Sequence, residues 1–150
     1  MAIQPQDLPA RVEEALRDAA DVESVALAGS RARGEETALS DWDFAVTTND
    51  FASLAQALPR LVEPLDPISR QWDPLSPFPT YMLMLAGPLK VDLLFPDRPN
   101  PPPPPWQARP DTLGAIDDHF WDWILWLASK SSAGRDEQVD RKSTRLNSSH

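Results

Sequence analysis

Residues 22–46, VESVALAGSRARGEETALSDWDFAV, decide the reading of the chain. The stretch opens on a strand over 22–28, in which Val22, Ser24, Ala26 and Ala28 alternate with Glu23, Val25 and Leu27. The strand ends in the tight turn Gly29-Ser30, where Ser30 is placed to cap a short helix over 31–36. Residues 37–40 read as loop. A second strand begins at Asp41 and runs to Thr48 with clean alternation, so that Asp41, Asp43 and Ala45 point one way and Trp42, Phe44 and Val46 the other. Two carboxylates thus leave one strand face two residues apart, shortly after a glycine turn.

Outward from this stretch the periodicity changes with each element. Residues 7–20 place Leu8, Val12, Ala15, Leu16 and Ala19 on one helical face. Asn49 or Asp50 caps a helix that runs to Pro59. A third strand within 61–72 is broken by Pro64 and Pro67, which makes it short or an edge strand. Residues 80–95 read as a hairpin, with arms at 80–86 and 89–95 and a turn at Gly87-Pro88. Its second arm sets Leu89, Val91, Leu93 and Phe95 on one face, and Lys90, Asp92 and Leu94 on the other. An aspartate inside so apolar a strand needs a partner.

These elements give an α/β core over 1–98. A proline-rich linker follows over 99–110, with five consecutive prolines at 101–105 that exclude helix and central strand. A helical segment is expected over 111–139, with Leu113, Ile116, Phe120, Ile124 and Leu127 as its stripe. Trp121, Trp123, Leu125 and Trp126 make it apolar nearly all round, as befits a helix with neighbours on several sides. Residues 140–150, DRKSTRLNSSH, resemble the in-frame translation of a sequencing adapter, so the helical segment is expected to be truncated near Val139.

Composition narrows the function. With 23 acidic against 14 basic residues the chain carries −9, which disfavours a protein that grips nucleic acid over its whole surface. The absence of cysteine excludes disulfides and thiolate metal sites, and two histidines make a histidine-rich zinc site a poor reading. No run of about 18 apolar residues and no signal peptide appear, so a cytoplasmic location without a membrane role is expected.

The chemistry rests on three groups of residues. Asp41 and Asp43 suit one or two hard cations, because Mg²⁺ takes carboxylate, phosphate and water oxygens. Asp92 is placed to complete that cluster from a neighbouring strand, or else is a structural residue paired with Lys90 or an arginine. Gly29 allows close backbone approach to a phosphate, Ser30 offers a hydroxyl, and Arg31 and Arg33 bring positive charge.

The combination G-S-R-A-R-G, ten residues between Ser30 and Asp41, then S-D-W-D-F, resembles the signature of minimal and antibiotic-type nucleotidyltransferases of the DNA polymerase β-like superfamily. The resemblance covers residues 8–95 and implies a mixed β-sheet with flanking helices. It implies that Gly29, Ser30 and Arg33 bind the nucleotide. Asp41, Asp43 and Asp92 would then be catalytic and metal-binding, with two Mg²⁺ ions and ATP or another NTP as co-substrate. The implied reaction moves a nucleoside monophosphate to a hydroxyl of a small acceptor such as an aminoglycoside, whose positive charge fits the acidic chain. Asp117, Asp118 and Asp122 are candidates for a cationic subsite, although an acidic helix start exposed to solvent explains them more simply. Two rival readings are an antitoxin-type enzyme that modifies a partner protein, and a nucleotide-binding regulatory module without turnover.

Overall fold

The computed structural model describes residues 2–73, 76–98, 113–132 (side chains of 113, 115, 116 and 119 apart) and 134–135. The expected linker over 99–110 and tail over 140–150 lie outside the described residues.

The order of elements is α1 (Leu8–Arg17), β1 (Val22–Leu27), α2 (Gly29–Arg33), β2 (Trp42–Thr48), α3 (Phe51–Leu61), β3 (Ser69–Trp72), β4 (Thr80–Leu85), β5 (Leu89–Leu94) and α4 (Leu113–Ser132). The strands form one sheet in the order β1-β2-β5-β4-β3. Only the central pair, β2 and β5, is parallel; the other pairs are antiparallel. This is the mixed sheet with flanking helices that the resemblance implied.

The two faces of the sheet differ in chemistry. On one, Trp42, Phe44 and Val46 of β2 join Leu89, Val91 and Leu93 of β5 and Tyr81, Leu83 and Leu85 of β4. Leu8, Val12 and Leu16 of α1 and Leu54 and Leu58 of α3 close this core. The alternation read from β2 holds residue by residue. On the other face the register sets Asp43, Asp92, Met82 and Gln71 in one row across four strands. Helix α4 packs on β3 and β4, and Ser69, Gln71, Lys90 and Asp92 are buried despite their polarity.

Several expectations change in detail. A bulge between Val22 and Ser24 shifts the register of β1 against β2. Strict alternation therefore fails there: Val22 and Val25, three residues apart, both pack on the core. Ser30 does not cap α2, whose N-cap is Ala28 with no side-chain bond; Ser30 lies within the helix, and left-handed Gly34 ends it. Helix α3 extends through Pro59 to Leu61. A proline in the last turn removes a single backbone bond, and the Pro59 carbonyl accepts a 2.8 Å bond from Arg70. The third strand is the short edge strand Ser69–Trp72, and residues 61–65 belong to the end of α3 and a 3₁₀ turn. In α4 two members of the expected stripe, Phe120 and Ile124, are exposed, while Asp122, Trp123, Leu125 and Ser129 are buried; the side chains of Leu113 and Ile116 lie outside the described residues. A helix apolar on all sides carries no directional signal in its periodicity, so its orientation follows from what it meets on the sheet.

Asp50 is the N-cap of α3, its carboxylate accepting a 3.0 Å bond from the Ser53 backbone N–H. Replacing it by alanine should destabilise the protein by about 0.5–2 kcal/mol in urea denaturation.

Candidate active site

Gly29 opens α2 with φ at +64°, and the Asp43 side chain lies directly beneath it. A Cβ at position 29 would collide with the Asp43 carboxylate and stand 2.8 Å from its Cγ. The Ala28 backbone N–H donates to the Asp43 carbonyl at 2.8 Å, fixing the turn to β2. Glycine is therefore required here by the approach of an aspartate as well as by its φ angle.

A cleft of about 190 Å³ lies over this point. Gly29, Ser30, Arg33, Asp41 and Asp43 line one side of it, and Ser129, Lys130 and Arg135 bring the end of α4 to the other. Five of the residues named from sequence thus meet in one place. Arg33 is exposed and pairs with Glu35 at 2.8 Å, a weak surface contact that a phosphate can displace. Arg31 does not join the cleft. Its guanidinium donates to the carbonyls of Ser40 and Asp41 and stacks 4.0 Å over Trp42. It holds the loop that delivers Asp41, a role its spacing could not reveal.

Asp92 pairs with Asp43 in the β2–β5 register but does not line the cleft. It is buried and accepts a 2.7 Å bond from Lys90. The same ammonium bonds Asp41 at 3.3 Å and lies 3.6 Å from Asp122 of α4. Lys90 and Asp122 are the residues that sequence reading missed. Lys90 appeared only as a partner for Asp92, and Asp122 as a member of an exposed acidic group. Asp122 is in fact buried. The available signal was a lysine and an aspartate on otherwise apolar surfaces, each of which demands a countercharge.

The charges perturb one another. Burial raises the Asp43 pKa, helped by Asp41 and opposed by Lys90, Lys130 and Arg33. Burial also pushes Asp92 up to about 7; Lys90 draws it down, while Asp41 and Asp122 add to the rise. For Lys90 burial acts to lower the pKa, yet Asp92, Asp122 and Asp41 together carry it well above its ordinary value. The ammonium stays charged because it answers three carboxylates at once.

Among the described residues no three carboxylate or imidazole groups stand close enough to hold a metal ion as placed. The donor chemistry nevertheless fits a hard divalent cation. Asp41 and Asp92 each give one oxygen to Lys90, and the other, Oδ1, is buried without a hydrogen bond. Two unbonded carboxylate oxygens beside the half-buried Asp43 are the donor type that a hard cation takes.

Residues 10–75 match the sequence model of the nucleotidyltransferase domain family, a stretch that contains Gly29, Ser30, Asp41 and Asp43 and ends before Asp92. That stretch is less than half of the chain, and over it the protein is similar to a family of nucleotidyltransferases. No curated protein sequence matches. Among solved structures, the polymerase core of TRAMP, an RNA surveillance complex, is similar at 14% identity and a TM-score of 0.47. That match covers 63% of this chain and 33% of the other. Among the described residues no helix is long and apolar enough to cross a membrane.

The packing of Gly29 on Asp43 has a measurable signature. Gly29→Ala should cost more than about 1 kcal/mol, because it combines a left-handed φ with a collision. In an Asp43→Ala background the cost should fall toward the backbone component alone, which a double-mutant cycle of denaturation midpoints will read as coupling.

Proposed function

We propose that the protein transfers a nucleoside monophosphate from an NTP, ATP being the simplest donor, to a hydroxyl of a small cationic acceptor such as an aminoglycoside. The observation that supports this most is the meeting of Asp41 and Asp43 with the Gly29-Ser30 turn and the basic residues Arg33, Lys130 and Arg135 around one cleft. Asp41 and Asp43, with Asp92 behind them, would hold divalent cations, Mg²⁺ by donor type. When bound, such ions supply positive charge that neutralises the phosphates and the developing pyrophosphate.

The rest of the work falls to side chains. Gly29 keeps the backbone close to the phosphates, and the Ser30 hydroxyl donates to a phosphate oxygen. Arg33 exchanges its exposed partner Glu35 for the triphosphate, where a planar fork of donors matches phosphate geometry. The acceptor oxygen attacks the α-phosphorus in line, the bond to the bridging oxygen breaks, and pyrophosphate leaves. Asp92, behind the cleft, would help hold a cation whose charge lowers the pKa of the acceptor hydroxyl, and the released proton passes to solvent.

A cationic acceptor agrees with the net charge of −9. Asp118 lines a polar hollow with Glu63, Asp66 and Arg70 at the β3 edge, which shares no residue with the cleft, and Asp117 is exposed.

The test is pyrophosphate release and label transfer from radiolabelled ATP with Mg²⁺ over a panel of aminoglycosides and other hydroxyl acceptors. Asp43→Asn should reduce transfer by at least about 100-fold while leaving the circular dichroism spectrum intact. Full activity in that variant would sink the assignment. A separate expectation concerns pH. A carboxylate must be ionised to hold a cation, and burial raises the pKa of Asp43, so transfer should fall as pH drops into the acid range, and Asp92→Asn should be slow at every pH.

A further inference from the structure

Lys90 and Asp122 stand outside the reaction just described, yet both are buried within reach of its carboxylates. Helix α4 brings Asp122 to the polar face of the sheet, on the inward side that also carries Trp123, and its Oδ1 lies 3.6 Å from the Lys90 ammonium. The ammonium has nearer partners, Asp92 at 2.7 Å and Asp41 at 3.3 Å. One positive charge therefore serves three carboxylates, two of which keep a buried oxygen without a hydrogen bond.

We infer that Asp122 is a positioning residue: by sharing the Lys90 ammonium it leaves Asp41 and Asp92 able to take a divalent cation, and so ties the cation affinity of the cleft to the docking of α4. This rests on the proposed role of the aspartates as cation ligands. An ammonium and a divalent cation compete for the same oxygens. With Asp122 present, Lys90 keeps a buried partner when a cation draws Asp41 and Asp92 away. Without its charge, Lys90 would be left buried and less compensated, so the cation must displace it at greater cost. The coupling is reciprocal: a bound cation makes Lys90 lean on Asp122 and holds α4 more firmly against the sheet.

The experiment titrates Mn²⁺ into the full chain by calorimetry without nucleotide. Asp122→Asn should weaken binding by at least about 5-fold, a modest coupling, whereas Asp122→Glu should restore most of it. Asp117→Asn makes the same charge change on an exposed position of the same helix and should leave the affinity as in the wild type. In the wild type, hydrogen exchange over Leu113–Ser132 should slow when Mn²⁺ is added, a readout that needs no variant to fold. Wild-type affinity no better than that of Asp43→Asn overturns the reading of the cleft and this inference with it. Binding that is lost in Asp43→Asn but unchanged in Asp122→Asn overturns the inference alone. So does an equal loss in Asp117→Asn, or exchange in α4 that ignores the metal.

Discussion

A lysine ammonium taken out of water must find compensation, and in this protein the compensation organises everything around it. Removal of a charge from solvent costs several kcal/mol even after relaxation, and only close partners repay it. Lys90 obtains them from its own strand, where Asp92 lies two residues on, and from two elements distant in sequence, with Asp41 at the head of β2 and Asp122 on α4. The arrangement fixes where the head of β2 sits relative to β5. It also fixes which side of α4 turns inward, a choice that the helix's apolar surface leaves open. Polar residues thus specify orientation where hydrophobic contact is indifferent.

The sheet divides the labour. Its apolar face, closed by α1 and α3, supplies the cohesion expected of a core. Its polar face carries Asp43 and Asp92 side by side because β2 and β5 run parallel in that register. The turn at Gly29 then brings backbone against the Asp43 carboxylate, at a distance that only the smallest residue permits. Cohesion and chemistry are kept on opposite sides of one layer, so the carboxylates can be crowded together without loosening the core beneath them.

Much of this was legible in the sequence, for definable reasons. The period-two alternation of 41–48 and 89–95 reports which side chains share a face, since the geometry of a strand leaves no other choice. The prolines at 64 and 67 marked the strand beside them as short. The Gly29-Ser30 turn and the D-x-D spacing were visible because they are local. What escaped depends on contacts between distant segments. The bulge in β1 arises from pairing with β2, and no pattern within 22–28 encodes it. Arg31 and Arg33 are indistinguishable by spacing; one turns to the Ser40 and Asp41 carbonyls and the other to the cleft. The stripe drawn on α4 failed at Phe120 and Ile124 because aromatic residues occupy every side of it, whereas one buried aspartate tells which side faces in. Asp92 and Lys90 were seen as a pair, but their third and fourth partners lie tens of residues away.

The parallel pairing of β2 with β5 also says something about how the molecule comes into being. The β4–β5 hairpin closes over a short turn, and β1 meets β2 across α2, so both are local and quick to assemble. Joining β5 to β2 spans the residues between Asp41 and Lys90, 49 positions apart, and must wait until that loop has closed. A chain emerging from the ribosome cannot gather Asp43 beside Asp92 until its fifth strand has been made. Until then the aspartates of β2 are ordinary solvated carboxylates. The step that completes the sheet is the same step that first brings its acidic centre together, so a half-folded intermediate carries its aspartates apart.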